Sequence, residues 1–148
     1  MIDRLQFKGV SKDIDLELQH RITMIEGNSG IGKTYVYSAL EKISLYRKDI
    51  ITINKDYLDR NETTFKKVMD KKKPSTKYII IDNADIIITK SDKKIINMDN
   101  TNIFIIMGRN NKDLWTTEES YATLVENNNT LKLEFPYINV AEKQLNNK

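Results

Sequence analysis

At 148 residues the chain is long enough to bury one real core and too short for two ordinary domains. It contains no cysteine, which excludes disulfides, thiolate metal sites and cysteine nucleophiles together. The formal net charge of +3 is mild, no apolar stretch approaches membrane-spanning length, and Met1-Ile2-Asp3-Arg4 opens no signal-peptide core, so a cytoplasmic protein with no membrane partner is expected.

The chain opens on Ile2, Leu5, Phe7 and Val10 set among charged neighbours, turns at Ser11-Lys12-Asp13, and continues with Ile14, Leu16 and Leu18. This spacing predicts a β-hairpin with one buried face. His20, the only histidine, falls in a solvated turn before Arg21-Ile22-Thr23-Met24-Ile25-Glu26, a buried strand. After a glycine-rich segment, Thr34 to Ile43 predicts a helix running to about Lys48, with Tyr37 in the core. Asp49 to Asn54 reads as a short strand and Lys55 to Arg60 as a loop. Asn61 caps a helix over Thr63 to Lys72, which Pro74 ends. Lys71-Lys72-Lys73 reads as a solvated helix end that complements the helix dipole, so support for a nucleic-acid partner is weak.

Tyr78-Ile79-Ile80-Ile81 lacks polar alternation, which predicts a strand buried on both faces; Ile103-Phe104-Ile105-Ile106-Met107 repeats the pattern. Thr116 to Val125 reads as a helix, with Trp115 buried beneath it or, alternatively, stacking on a base or anchoring a partner, and Thr130 to Phe135 as a strand closed by Pro136. From residue 141 the tail is polar and rich in lysine and asparagine. One domain over 1–140 with a frayed tail over 141–148 is expected, with strands and helices alternating in an α/β sheet.

Gly27-Asn28-Ser29-Gly30-Ile31-Gly32-Lys33-Thr34 spells a complete G-x-x-x-x-G-K-[ST] pattern between a strand and a helix. Glycines let successive backbone N–H groups turn inward as a nest for anionic oxygens, and the following helix adds its positive end. Lys33 then reaches β- and γ-phosphates, and the Thr34 hydroxyl ligates Mg²⁺. Tyr35, next along the helix, borders the nucleotide in this reading. Asp82, closing the apolar run Tyr78–Ile81, is the partner carboxylate for the ion. ATP and Mg²⁺ are the expected cofactors.

Asp82-Asn83-Ala84-Asp85 resembles the Walker B segment of the AAA+ ATPases, within the additional-strand class of P-loop NTPases. Ile103-Phe104-Ile105-Ile106-Met107-Gly108-Arg109-Asn110 is similar to the family's sensor-1 strand, and Leu131–Pro136 to its fifth strand. The hairpin before the first core strand is closer to the ABC and SMC type. The resemblance implies a three-layer α/β sandwich with a mainly parallel central sheet and an N-terminal β-hairpin, and a minimal domain without the family's helical lid. Ile79–Ile81 and Ile103–Ile106 should be adjacent parallel strands, with Ile22–Ile25 on the far side of the latter.

The family's general base is a glutamate after the Mg²⁺ aspartate; here that position is Asn83, which orients water but accepts no proton at neutral pH. Asp85 is the nearest substitute, and Arg109 acts either on the phosphates, in cis or in a neighbouring subunit, or in a surface salt bridge. Asn110 is the sensor-like polar residue. The resemblance thus implies an ATP-binding accessory or regulatory module with weak or partner-dependent hydrolysis, its partner a second protein or a second copy of the chain. Two rival readings remain. One is a GTP-binding switch, because Thr89-Lys90-Ser91-Asp92 fits [NT]-K-x-D and Asn110-Asn111-Lys112-Asp113 nearly does. The other is a nucleotide-sensing interaction module without catalysis.

Overall fold

The computed structural model describes residues 1–26, 32–109 and 112–137; the polar tail expected over 141–148 lies outside them. Strands β1 (Asp3–Lys8) and β2 (Asp13–Leu18) precede β3 (Ile22–Glu26) and helix α1 (Lys33–Ser44). Strand β4 (Ile50–Ile53), helices α2 (Lys55–Arg60) and α3 (Phe65–Lys71) and strand β5 (Tyr78–Ile81) follow. Helices α4 (Ala84–Ile87) and α5 (Lys90–Met98) then lead into β6 (Ile103–Met107). A single 3-10 turn, Glu118–Ser120, introduces β7 (Tyr121–Asn127) and β8 (Thr130–Glu134). All eight strands join one sheet in the order β1-β2-β8-β7-β3-β6-β5-β4.

The centre of the sheet is built from side chains that have no polar face to offer water. All four residues of β5 are buried, as are four of the five in β3 and in β6. Successive residues point to opposite faces. Met24, Ile79, Ile81, Phe104 and Ile106 therefore meet Phe65 and Met69 of α3 and Ile96 of α5, whereas Ile25, Ile80, Ile105 and Met107 meet Val36, Tyr37 and Leu40 of α1. Each fully buried isoleucine or phenylalanine contributes roughly 1.5–3 kcal/mol. β5 pairs parallel with β6 from Tyr78↔Ile103 to Ile81↔Ile106, and β3 pairs parallel along the other side of β6. That is the expected neighbour order for the three isoleucine strands.

The three-layer sandwich with a mainly parallel sheet is not what forms. The sheet is mixed and curls into a half-barrel, with antiparallel pairs β1·β2 and β7·β8 and few helices, of which the longest, α1, has 12 residues. Much of the difference lies in the segment expected to be a helix over Thr116 to Val125. It forms β7 instead, because Ala122 and Leu124 alternate inward with half-buried neighbours. Asn128 and Asn129 then turn the chain with φ of 51° and 64°. Two successive left-handed residues make the tight turn that matches strand twist, and asparagine tolerates that conformation. β8 thereby returns antiparallel to β7 and pairs parallel with β2.

Smaller corrections have equally local causes. α1 stops at Ser44 rather than near Lys48. The loop expected over Lys55–Arg60 is helix α2, because the Asn54 side chain accepts the Tyr57 N–H at 2.7 Å and two ion pairs, Lys55–Asp59 and Asp56–Arg60, staple successive turns. Thr64, not Asn61, caps α3. Trp115 is 69% exposed instead of buried. His20 is half-buried, and Lys72 leaves the solvated lysine run to pair with Asp99 at 2.6 Å and to donate to Asn102.

Where the two hairpins meet, the almost fully buried Asp15 of β2 accepts two hydrogen bonds from the Arg4 guanidinium, at 2.6 and 2.7 Å. Those bonds hold the Asp15 carboxyl below its ordinary range. A depressed carboxyl stabilises the fold above its unfolded pKa and loses that contribution as pH falls through the folded value. Asp15→Asn should therefore melt below the parent at pH 7, with the gap narrowing as acid protonates the parent's carboxyl. A thermal-melt series from pH 7 down to about pH 2 tests this; a gap independent of pH would contradict the assignment.

Candidate functional site

β3, β4, β5 and β6 run parallel, so their carboxyl ends open on the same edge of the sheet. This is where ligands bind in open α/β sheets. Gly27, Asn28, Ser29, Gly30 and Ile31 lie outside the described residues, as does Asn110. The segments flanking the glycine run are defined: β3 ends at Glu26, and α1 starts at Lys33 behind Gly32 at φ 90°. A side chain is strained at that angle, which accounts for the glycine. Lys33 is half-buried and Thr34 exposed, both in the first turn of α1.

The start of α1 is held by contacts from distant parts of the chain. The Tyr35 hydroxyl accepts the N–H groups of Ser11 and Lys12 at 3.0 and 2.9 Å and donates to the Lys12 carbonyl at 3.1 Å. The β7–β8 turn joins the same corner, where Asn129 donates through Nδ2 to the Ser11 carbonyl and accepts the Asp13 N–H at its own carbonyl. Tyr35 thus ties the helix that carries Lys33 and Thr34 to the β1–β2 turn, which Asn129 joins to the β7–β8 turn. It also lines a cleft of about 460 Å³ with Phe7, Ser38 and Ile43.

Asp82 follows β5 directly, half-buried, and its Oδ1 accepts the Asn83 N–H at 2.8 Å. One strand, β6, separates β5 from β3, which puts Asp82 about 10 Å across the edge from the end of β3 at the usual strand spacing. Asp82 also lies within electrostatic reach of α1. Burial is the main cause that raises the Tyr37 phenol well above its ordinary value, and the charges of Glu41 and Asp82 add to it. Tyr37 is three residues beyond Thr34, on the same helix face.

Asn83 takes φ 55° and ψ 33° at the head of α4, and its Oδ1 accepts the Lys55 N–H at 3.4 Å. This left-handed position supplies a conformational reason for asparagine that its sequence neighbours do not reveal. Asp85 turns toward the exit of β6 and accepts the Arg109 N–H at 3.0 Å. A Cβ on Gly108 would come within 3.1 Å of Asp85 Oδ1 and 3.2 Å of the Ala84 side chain, so glycine permits the close approach of α4 to β6. Arg109 itself is exposed. Lys33, Thr34, Asp82, Asn83, Asp85 and Arg109 are thus brought to one edge of the sheet.

The guanine-like Thr89-Lys90-Ser91-Asp92 has a structural use. Thr89 Oγ1 accepts the Asp92 N–H at 3.1 Å and Asp92 Oδ2 accepts the Thr89 N–H at 3.0 Å, a reciprocal capping box that starts α5. The second near-match has Asn110 and Asn111 outside the described residues. Among the described residues no group of three or more histidine or acidic side chains is placed to hold a metal ion, and no helix is long and apolar enough to cross a membrane. No protein-family model, curated protein or solved structure matches this chain.

The left-handed geometry of Asn83 makes a stability prediction separate from catalysis. Asn83→Gly should stay within a few tenths of a kcal/mol of the parent, whereas Asn83→Ala should lose about 1 kcal/mol, or roughly 2–4 °C in melting temperature. Differential scanning fluorimetry reads the order. A glycine variant less stable than the alanine variant would show that the Lys55 hydrogen bond, not the backbone angle, selects asparagine.

Proposed function

We propose that this chain binds Mg²⁺-ATP through Gly27–Thr34 and hydrolyses it weakly, or only with a partner, as an accessory or regulatory module. The observation that carries this reading is the position of the motif. A buried strand ends at Glu26 and a helix begins at Lys33, so the glycine run connects strand to helix with Lys33 and Thr34 in the first turn. Asp82, at the end of a strand on the same sheet edge, supports it.

The residues present suit the ion. Mg²⁺ takes one or two protein oxygens and completes its shell with water and substrate phosphates. Thr34 offers a hydroxyl, and Asp82 a carboxylate that acts directly or through water. Lys33 would neutralise the β- and γ-phosphates, and the amides of 27–32 would hold the remaining oxygens. The ion, when bound, screens the negative charge that repels an attacking water.

Weak turnover follows from the groups around the reacting phosphate. Asn83 accepts no proton, and Asp85 turns its Oδ2 toward the Arg109 amide. Use of the Thr89–Asp92 pair as a helix cap favours ATP over GTP, since those side chains already have partners.

Saturating Mg²⁺-ATP, about a hundredfold above Kd, should stabilise the parent by about 2.7 kcal/mol, a rise of roughly 5–10 °C. Lys33→Ala should lose this rise and keep the parent's melting temperature without ligand; an equal rise in the variant would mean that the site lies elsewhere.

Turnover by the isolated chain should be slow. A positioned base contributes about a hundred- to ten-thousandfold, so Asn83→Asp, which keeps a residue tolerant of the left-handed angle, and Asn83→Glu should both raise phosphate release. Fast release by the parent that Asp85→Asn removes would make Asp85 the base instead.

A further inference from the structure

The amino ends of the same parallel strands form the opposite edge of the molecule, and their chemistry is different. A groove of about 520 Å³ sits where β4 begins and α1 and α3 end. Arg47, Lys48, Lys71, Lys72 and Lys73 line it with Tyr57, and among the described residues no acidic side chain is in its walls. Two of these cations are already used: Arg47 is chelated by Asp49 at 2.7 and 3.0 Å, and Lys72 is paired with Asp99. Lys48, Lys71 and Lys73 remain exposed around the groove.

The Lys72–Asp99 pair links this groove to a second one. Asp99 follows Met98, which is 72% exposed, and Asn97, whose Oδ1 accepts the Trp115 N–H at 2.8 Å. Trp115 and Met98 share a cleft of about 440 Å³ with Leu114, Lys90, Lys94 and the single acidic residue Asp113. On its other side Trp115 adjoins Arg21, which donates to the Ile96 and Asn97 carbonyls and so closes the end of α5. The only tryptophan of the chain thus stands in solvent, flanked by cations and joined by a short run of contacts to a groove with surplus positive charge.

We propose that this edge binds single-stranded nucleic acid, with Lys48, Lys71 and Lys73 following the phosphates and Trp115 stacking on a base. Exposed cations together with an exposed aromatic face are the composition of single-strand surfaces, where every base offers a π-face and the backbone offers charge. A duplex keeps its bases paired and has no face to give Trp115. A protein partner would favour a broad apolar patch with few charges at its centre, and five cations line the first groove. The surface is independent of the phosphate loop, so it can be tested without nucleotide.

Because Trp115 is the only tryptophan, its fluorescence reports stacking directly. Titrating the full chain with an oligothymidylate of about 12 nucleotides should give saturable quenching that weakens with salt. Trp115→Ala should weaken binding about five- to hundredfold by fluorescence anisotropy, and Trp115→Phe should recover part of the loss. The pair Lys71→Glu and Lys73→Glu should lower the salt slope by about 1.4, at about 0.7 per lost phosphate contact. Lys132→Glu on β8 should change neither. Unchanged tryptophan emission, or affinity indifferent to Trp115→Ala and to the Lys71/Lys73 reversal, would overturn the proposal. So would equal affinity for inorganic polyphosphate, or binding to anionic lipid vesicles but not to the oligonucleotide.

Discussion

Burial of β3, β5 and β6 on both faces is the constraint on which the other features depend. Strands made of isoleucine, methionine and phenylalanine leave no face for water, so helices must cover the sheet on each side. Parallel pairing then sends all three carboxyl ends to one edge. Asp82 and Arg109 gather there although they are far apart in the chain, because each follows one of these strands by one or two residues, and Lys33 opens the helix after the third. The same pairing leaves the opposite edge to the helix ends, where lysines complement carbonyl-rich termini.

The legible part of this architecture is the part governed by a simple period or by a rigid motif. Continuous apolar runs at Tyr78–Ile81 and Ile103–Met107 allow little besides a doubly buried strand, and their adjacency follows the order expected. Thr116–Val125 was harder, since Tyr121, Ala122, Thr123, Leu124 and Val125 include an alanine and a leucine that suit a helix. The deciding signal is the Asn128-Asn129 pair beyond it, whose left-handed turn commits both flanks to strands. Helix α2 was hidden because its stabilisation is a cap and two surface ion pairs, with Leu58 as its only buried residue. The exposure of Trp115 runs against the usual covering of large aromatics, and no period in the sequence signals it.

At the candidate site, the sequence identifies donors and acceptors but not backbone angles or competing bonds. Lys33 and Thr34 open helix α1, and Asp82 directly follows strand β5. The left-handed Asn83 and the Asp85 bond to Arg109 arise only when β5 and β6 exit side by side. Asparagine serves several such purposes in this chain. Asn83, Asn128 and Asn129 take positive φ, Asn54 caps a helix, and Asn97 and Asn102 bridge loops to helix or strand. Its abundance therefore has a conformational role at three of the five left-handed positions held by residues other than glycine among the described residues.

The placement of β3 between β6 and β7 affects how the chain is made. Ile22 must find Phe104, Met24 must find Tyr121, and Asp13 of β2 must find Thr130. During vectorial synthesis at about 5–20 residues per second, several seconds separate the appearance of β3 from that of its partners. For that interval the first core strand is an unpaired apolar ribbon, open to pairing with another nascent chain. Contacts of such long sequence separation also slow closure once the partners arrive. β3, the first core strand to emerge, therefore waits longest for its partners and needs shielding while the protein is being born.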